Sequence, residues 1–170
     1  IELKSFSIFF TLLCFLLFIN ALNMFDGINC QVGSYCIFIF SIIFYKNVLP
    51  ELCLTIIISL LFFLILNFRS KIFLGESGVL ILAFIIGYIF VKSSNIQNNI
   101  FSADEIFMIM ALPGIDMLRL FLIRIYNGKH PFSSDTNHIH HLISKHYTNT
   151  KTFIIIFSYI LVTTIIYFYI

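Results

Sequence analysis

The sequence predicts an all-α bundle of about six transmembrane helices, forming a single membrane domain over residues 1–170. Three observations predict it. Hydrophobic residues make up 60% of the chain and charged residues only 11%, against about 25% charged in soluble domains. The mean hydropathy is +1.03. The apolar residues also fall into runs close to the ~20 residues that cross a bilayer as a helix. An excess of this size reads as an integral membrane protein. In lipid each backbone amide needs an internal partner, so the runs are helices and not strands.

The runs cover residues 5–22, 31–46, 49–67, 76–92, 105–125 and 153–170. The second and fourth are short and must borrow flanking residues. No internal repeat or soluble domain interrupts the series. The four cysteines, Cys14, Cys30, Cys36 and Cys53, show no C-x-x-C spacing and read as free thiols. The net charge of +2 is too small to argue for a nucleic-acid partner, and no basic run is interleaved with aromatics, so none is expected. The chain opens without Met and without a signal-peptide pattern, so it reads as a piece of a longer protein.

Six spans imply five loops on alternating sides. One side holds residues 23–30, 68–75 and 126–152, with Arg69, Lys71, Arg124, Lys129, Lys145 and Lys151, and Arg119 beside them. The other holds Lys4, Lys46 and Lys92. The excess of basic residues places the first side in the cytoplasm. Asp26, Glu76, His138, His140 and His141 all fall on or beside that side, so the chemistry is expected at the cytoplasmic membrane surface.

Four stretches carry candidate chemistry. In "NMFDGINC", Asn23, Asp26 and Asn29 recur at spacings of three, which on a helix end is one face. Gly27 permits a turn or a close approach. The alternative is an ordinary polar helix end. In "KIFLGESGV", Glu76 lies between Gly75 and Gly78 at a helix start. Glu76 or Ser77 could cap the helix, the helix start could face a phosphate, or Glu76 could hold Mg²⁺ together with substrate phosphates. In "LPGIDMLRLFLIR", Asp116 and Arg119 are three apart in an apolar helix. They form either a structural ion pair or, through Arg119, part of an anionic site. The stretch from Asn127 to His146 carries all five histidines. His138, His140 and His141 lack the spacing of a zinc-binding H-E-x-x-H helix. Imidazoles and Lys129 reaching an anionic phosphate account for the cluster better than structural zinc or an incidental polar loop.

"NALNMFDGIN", "KIFLGESG" and "PFSSDTNHIHHL", in this order and on one membrane side, resemble the polyprenyl-phosphate N-acetylhexosamine-1-phosphate transferases. The resemblance spans essentially the whole chain and matches the C-terminal part of that family. It implies transfer of a sugar-1-phosphate from a UDP-N-acetylhexosamine to a polyprenyl phosphate with release of UMP. It also implies a bacterial inner membrane, a role in starting cell-wall or surface-polysaccharide synthesis, and Mg²⁺, or Mn²⁺ in its place. The partners implied are the two substrates and the lipid bilayer, with a homodimer as one assembly the family allows.

Position by position, Asp26 matches a catalytic carboxylate of the family and Asn23 its neighbouring Asn. Asn29 matches a position near the uridine, Phe73 an aromatic that packs on the uracil, and Glu76 the magnesium-binding Asp. His138, His140 and His141 match the H-x-H-H cluster near the diphosphate, which is similar to the GlcNAc-type branch. Lys129 and Arg119 join the anionic site. The chain departs from the pattern at Glu76 (usually Asp), Val79 (Ser), Cys30 (Gly) and Thr136 (often Arg). No adjacent Asp pair occurs in the chain, so the family's Asp-Asp loop is expected upstream. Two other classes remain: an inactive remnant of such a transferase, and a small transporter using Asp26, Asp116 and Arg119.

Overall fold

The computed structural model describes residues 6–95, 100–130 and 137–169, and every regular element among them is a helix. In chain order these are α1 (Phe6–Phe25), α2 (Gln31–Tyr45), α3 (Pro50–Phe68), α4 (Gly75–Asn95), α5 (Ala103–Tyr126), α6 (Ile139–Ser144) and α7 (Asn149–Tyr169). Five of them, α1, α3, α4, α5 and α7, are long and apolar enough to cross a membrane. The chain is an all-α polytopic bundle, as the sequence predicts.

The two short runs resolve differently. The fourth lengthens to 21 residues by taking in Gly75 and the residues after Lys92. The second stays at 15 residues, about 22 Å at 1.5 Å per residue. Left-handed backbone at Cys30 (φ 69) precedes α2, and left-handed backbone at Asn47 (φ 58) and Leu49 (φ 45) follows it. Proline then opens α3 at Pro50, where its missing N–H costs nothing. A helix this short is tolerated because α2 is central. It packs along α3 and touches α1, α4 and α7, and Tyr35, Cys36, Ile39, Phe40 and Ile43 on it are fully buried.

Around α2, α1 lies against α4 and α5, and α7 against α5 and α6. Gly87 of α4 sits directly under the Phe15 ring of α1, so the absent side chain lets these helices approach closely. Many large apolar side chains point outward, among them Leu16, Phe62, Leu122 and Ile154. On a soluble protein they would be an aggregation hazard. On a bundle in lipid they are the expected outer surface.

Pro113 lies inside α5. A helical proline cannot donate to the carbonyl four residues earlier, here that of Ile109. The Tyr35 hydroxyl donates to that carbonyl at 2.6 Å, in a buried setting. The central helix therefore supplies the hydrogen bond that the proline removes from its neighbour.

The two ends of the bundle are held differently. At one end the Lys46 ammonium pairs with Glu105 at 2.5 Å, donates to the Ile100 carbonyl at 3.0 Å and lies over the Phe101 ring. Ser102 and Glu105 form a capping box at the start of α5, and the Tyr167 hydroxyl donates to Asp104. At the other end the α1–α2 and α3–α4 loops meet each other and the start of α6. This is the two-sided division that the sequence predicts.

Tyr35→Phe leaves the Ile109 carbonyl buried without a donor, and such a loss costs about 1–3 kcal/mol. The expected result is a lower thermal midpoint in detergent, while Tyr45→Phe, at a residue 88% exposed, leaves the midpoint unchanged. An unaltered midpoint in Tyr35→Phe would show that the helix finds another donor.

Candidate active site

The site starts at the end of α1. The helix stops at Phe25, where the Asp26 amide turns back to the Asn23 carbonyl at 3.3 Å and the Gly27 amide to the Phe25 carbonyl at 3.0 Å. Asn23, Asp26 and Asn29 therefore do not share a helix face, contrary to their spacing. Asn23 stays in the last turn of α1, half-buried, while Asp26 and Asn29 lie in the loop. Residues Asp26 to Gly33, with Phe63, Asn67, Phe73 and Leu74, line a cleft of about 130 Å³.

One amide holds this cleft together. Asn67 is only 5% exposed. Its Oδ1 accepts from the Cys30 N–H at 2.6 Å and its Nδ2 donates to the Ile72 carbonyl at 2.7 Å. The Asn29 side chain donates to the Ser70 hydroxyl at 2.6 Å. The α1–α2 loop is thus fastened to the α3–α4 loop through side-chain amides. Nothing in the sequence marks Asn67 except a polar residue at the end of an apolar run, a pattern that also fits any helix end. Cys30 adopts left-handed backbone, the conformation that favours glycine. That accounts for the glycine usual in the pattern and makes Cys30 a strained substitute.

Gly27 does not use left-handed backbone. Its role is close approach, and the approaching group is His140. A methyl group added at Gly27 would overlap the His140 ring. This contact joins the first loop to the histidine loop, which lies more than a hundred residues later in the chain.

The histidine loop is fastened to α5. Asp116, 3% exposed, accepts from Arg119 at 2.7 and 3.2 Å, from the Ile139 N–H at 3.3 Å and from His138 Nδ1 at 3.3 Å. Arg119 also donates to the Asn137 carbonyl at 2.6 Å. A carboxylate only accepts, so Asp116 fixes the His138 proton on Nδ1 and leaves Nε2 for other partners. The structure shows the structural reading of Asp116 and Arg119. They are a structural ion pair, and the pair carries the histidine loop.

The three imidazoles cluster, one pair stacked and the others tilted. The His138 and His140 rings are parallel at 5.4 Å, and His140 and His141 lie 4.3 Å apart. Among the described residues no group of three or more His, Cys, Asp or Glu converges on a common metal position. His140 is 1% exposed and its Nδ1 has no partner among the described residues. Burial first, then the neighbouring His141 and His138, push its pKa down to about 4 against a weaker opposing pull from Asp116. His140 is neutral at pH 7, so it contributes packing and not positive charge. Asp26 keeps an exposed edge, yet the protein packed around it raises its carboxyl above the ordinary range by desolvation.

The remaining candidates vary in how they relate to this centre. Phe73 lines the cleft and is 70% exposed, as an open stacking platform would be. Glu76 is exposed, in the first turn of α4, after Gly75 turns the chain at φ 68. It is not a cap residue. An acidic group there is favoured by the helix dipole. Glu76 follows the cleft in sequence and does not line it. Lys129 is exposed just after α5. Thr136 lies outside the described residues. The sequence reading missed Asn67, and also Gln31, which lines the cleft while only 2% exposed.

A family profile described as glycosyl transferase family 4 matches residues 1–94. Over 166 residues the chain is 30% identical to the undecaprenyl-phosphate alpha-N-acetylglucosaminyl 1-phosphate transferase of Escherichia coli K12, covering 91% of this chain and 45% of that protein. The Salmonella typhi protein of the same name is 29% identical with the same coverage. The Haemophilus influenzae protein of that name is 32% identical over 94 residues, 52% of this chain and 26% of the relative. The chain spans less than half the length of these relatives. No solved structure matches it.

Two outcomes test the His140 contact. Gly27→Ala forces the buried ring aside and should lower the thermal midpoint, and adding His140→Ala to the same chain should recover part of the loss. The second concerns pH. An unfolded histidine titrates near 6.5 and the folded one near 4. As pH falls below about 6.5, the unfolded chain takes up a proton that the folded state refuses. The stability is complete above that pH and is lost towards pH 4, by roughly 3 kcal/mol. His140→Leu should flatten the dependence of the midpoint across this window.

Proposed function

The chain belongs to glycosyl transferase family 4, and on that basis we propose that the whole protein transfers N-acetylhexosamine-1-phosphate from a UDP-sugar to undecaprenyl phosphate or a related polyprenyl phosphate, releasing UMP. The reaction would take place at the cytoplasmic face of a bacterial inner membrane. One observation supports the reading above the others. The Asp26–Gly27 loop and the histidine loop are in contact through His140 and Gly27, at the same end of the bundle as Phe73 and Glu76.

In the proposed reaction an oxygen of the acceptor phosphate forms a bond to the phosphorus that carries the sugar. The bond from that phosphorus to the bridging oxygen breaks, and the electron pair leaves with UMP. Catalysis of this kind rests on positioning and charge neutralisation. The acceptor is a phosphate monoester with a second pKa near 6, so it needs no strong base. Asp26, with its raised carboxyl, orients the acceptor and takes any residual proton. His138 is oriented by Asp116, and with His141 and Lys129 it would hydrogen-bond the diphosphate. Phe73 and Asn29 would hold the uridine, with Asn23 behind Asp26.

The exposed Glu76 carboxylate suits Mg²⁺, which binds through one or two carboxylates together with substrate phosphates. When bound, the ion would neutralise charge on the diphosphate and the departing UMP. Mn²⁺ has the same oxygen preference. A transporter would gather its ionisable groups near the bilayer midplane. Here most of them sit at one end, and Asp116 is occupied in holding the histidine loop.

The test uses the full-length protein in membranes with radiolabelled UDP-N-acetylglucosamine and undecaprenyl phosphate. Butanol-extractable product should form and should disappear with EDTA. Asp26→Asn and His141→Ala should each reduce the rate by about a hundredfold or more. Wild-type rates in both variants would sink the site assignment, and no product from any UDP-N-acetylhexosamine would sink the function.

A further inference from the structure

A second cleft lies away from the candidate active site. It separates α5 from α7, has a volume of about 520 Å³ and shares no lining residue with the cleft at Asp26. Ile139 and Ile143 of α6 line it at the end of the bundle that holds the histidine loop, and Thr163 lines it farthest along α7. Among the described residues no charged side chain lines it. Thr163 turns its hydroxyl back to the Tyr159 carbonyl at 2.9 Å, so that group is already satisfied. An empty cleft of this kind forfeits the contacts its walls would make, and in a bilayer the filler at hand is hydrocarbon.

Depth and charge say which hydrocarbon fits. Ile155, Tyr159 and Thr163 recur every four residues and so follow one face of α7, with Lys151 before them on the same face. From Lys151 to Thr163 the helix rises about 18 Å at 1.5 Å per residue. One leaflet of the ~30 Å hydrocarbon core is about 15 Å deep. The cleft therefore matches the acyl chain of a phospholipid in one leaflet, and a polyprenyl chain, several times longer, would overrun it. Lys145, two residues after Ile143, and Lys151, in the first turn of α7, are both exposed. No Asp or Glu occurs from Ile139 to Ile170. On α5 the carboxylate beside the lining residue Ile115 is Asp116, which is occupied by Arg119 and the histidine loop. Lysines so placed carry their charge to the headgroup level, where they favour anionic lipid.

We propose that this cleft is a lipid-binding site, in which one acyl chain of an anionic phospholipid lies between α5 and α7 and its headgroup phosphate is held by Lys145 and Lys151. The site is independent of the transferase reading and holds a resident lipid, not the acceptor. Because Ile139 and Ile143 line the cleft, the bound chain also packs against the helix that carries His140 and His141.

The experiment is native mass spectrometry of the full-length protein, delipidated in detergent and then supplied with dioleoylphosphatidylglycerol or dioleoylphosphatidylcholine. Wild type should retain one phosphatidylglycerol per chain, about tenfold more tightly than phosphatidylcholine. Lys145→Gln with Lys151→Gln should bring the ratio close to one. Arg69→Gln with Lys71→Gln, which removes as much charge from the same end of the bundle, should leave the ratio unchanged. Ala111→Phe fills the cleft and should abolish retention of both lipids. Thr163→Phe, farther along the cleft, replaces it if that variant does not fold. Equal retention of the two lipids by wild type, an equal loss in the Arg69 and Lys71 variant, or lipid retained after the cleft is filled would overturn the proposal. Displacement of the lipid by undecaprenyl phosphate at equal concentration would also overturn it, by giving the cleft to the acceptor. Each of these outcomes leaves the transferase reading to its own assay.

Discussion

His140 lies so close to Gly27 that no side chain fits between them, and the arrangement of the candidate site depends on this contact. It fixes the distance between two loops that are remote in the chain. It also fixes the state of the ring. A protonated imidazole would need water or an acid beside it, and the space that would hold either is filled by backbone and by two further histidines. Close packing and neutrality are therefore one fact seen twice. The histidine that matches the family pattern most centrally acts as a spacer, and its neighbours His138 and His141 are presented around it.

A second constraint comes from the membrane. Backbone and charged groups at bilayer depth need partners within the protein, and the bundle meets this through side chains placed across helix boundaries. Tyr35 of α2 supplies the donor that Pro113 withholds in α5. Asp116 is matched by Arg119, His138 and a backbone amide. Each of these bonds satisfies a local need and also fixes one element against another. The histidine loop is consequently anchored in α5 and seated on the α1–α2 loop. Neither attachment alone would set its position.

Much of the fold was legible in the sequence because the membrane imposes a coarse, one-dimensional code. Run length predicts spans, and basic residues predict sides. The code weakens where protein replaces lipid as the surroundings. The central α2 could be short because α1, α3, α4 and α7 surround it, which no count of apolar residues could reveal. In the site, Asp26, Phe73 and the histidines stood out as chemical groups in an apolar chain. The spacing of Asn23, Asp26 and Asn29 misled because the helix stops at Phe25, ahead of the last two. Asn67 and Gln31 were missed because an amide at a helix end has the same appearance whether it bonds water, backbone or nothing. Only three-dimensional hydrogen bonding separates the saturated Asn67 from the unsatisfied Gln31.

Cys30 shows how closely the two halves of the cleft are coupled. Its backbone is left-handed at φ 69, which costs a residue with a side chain roughly 1–2 kcal/mol relative to glycine. The same backbone turn points its N–H at the Asn67 oxygen, at 2.6 Å, and starts α2 at the next residue, Gln31. Relaxing the turn would release the Asn67 bond. The strain at Cys30 is thus offset by the hydrogen bond it permits, and the geometry of the next residue depends on both. A loop that first reads as a polar interruption between two apolar runs is held from three directions: by Asn67 at Cys30, by Ser70 at Asn29 and by His140 at Gly27. Asp26 is exposed within this restrained loop and is its one carboxylate.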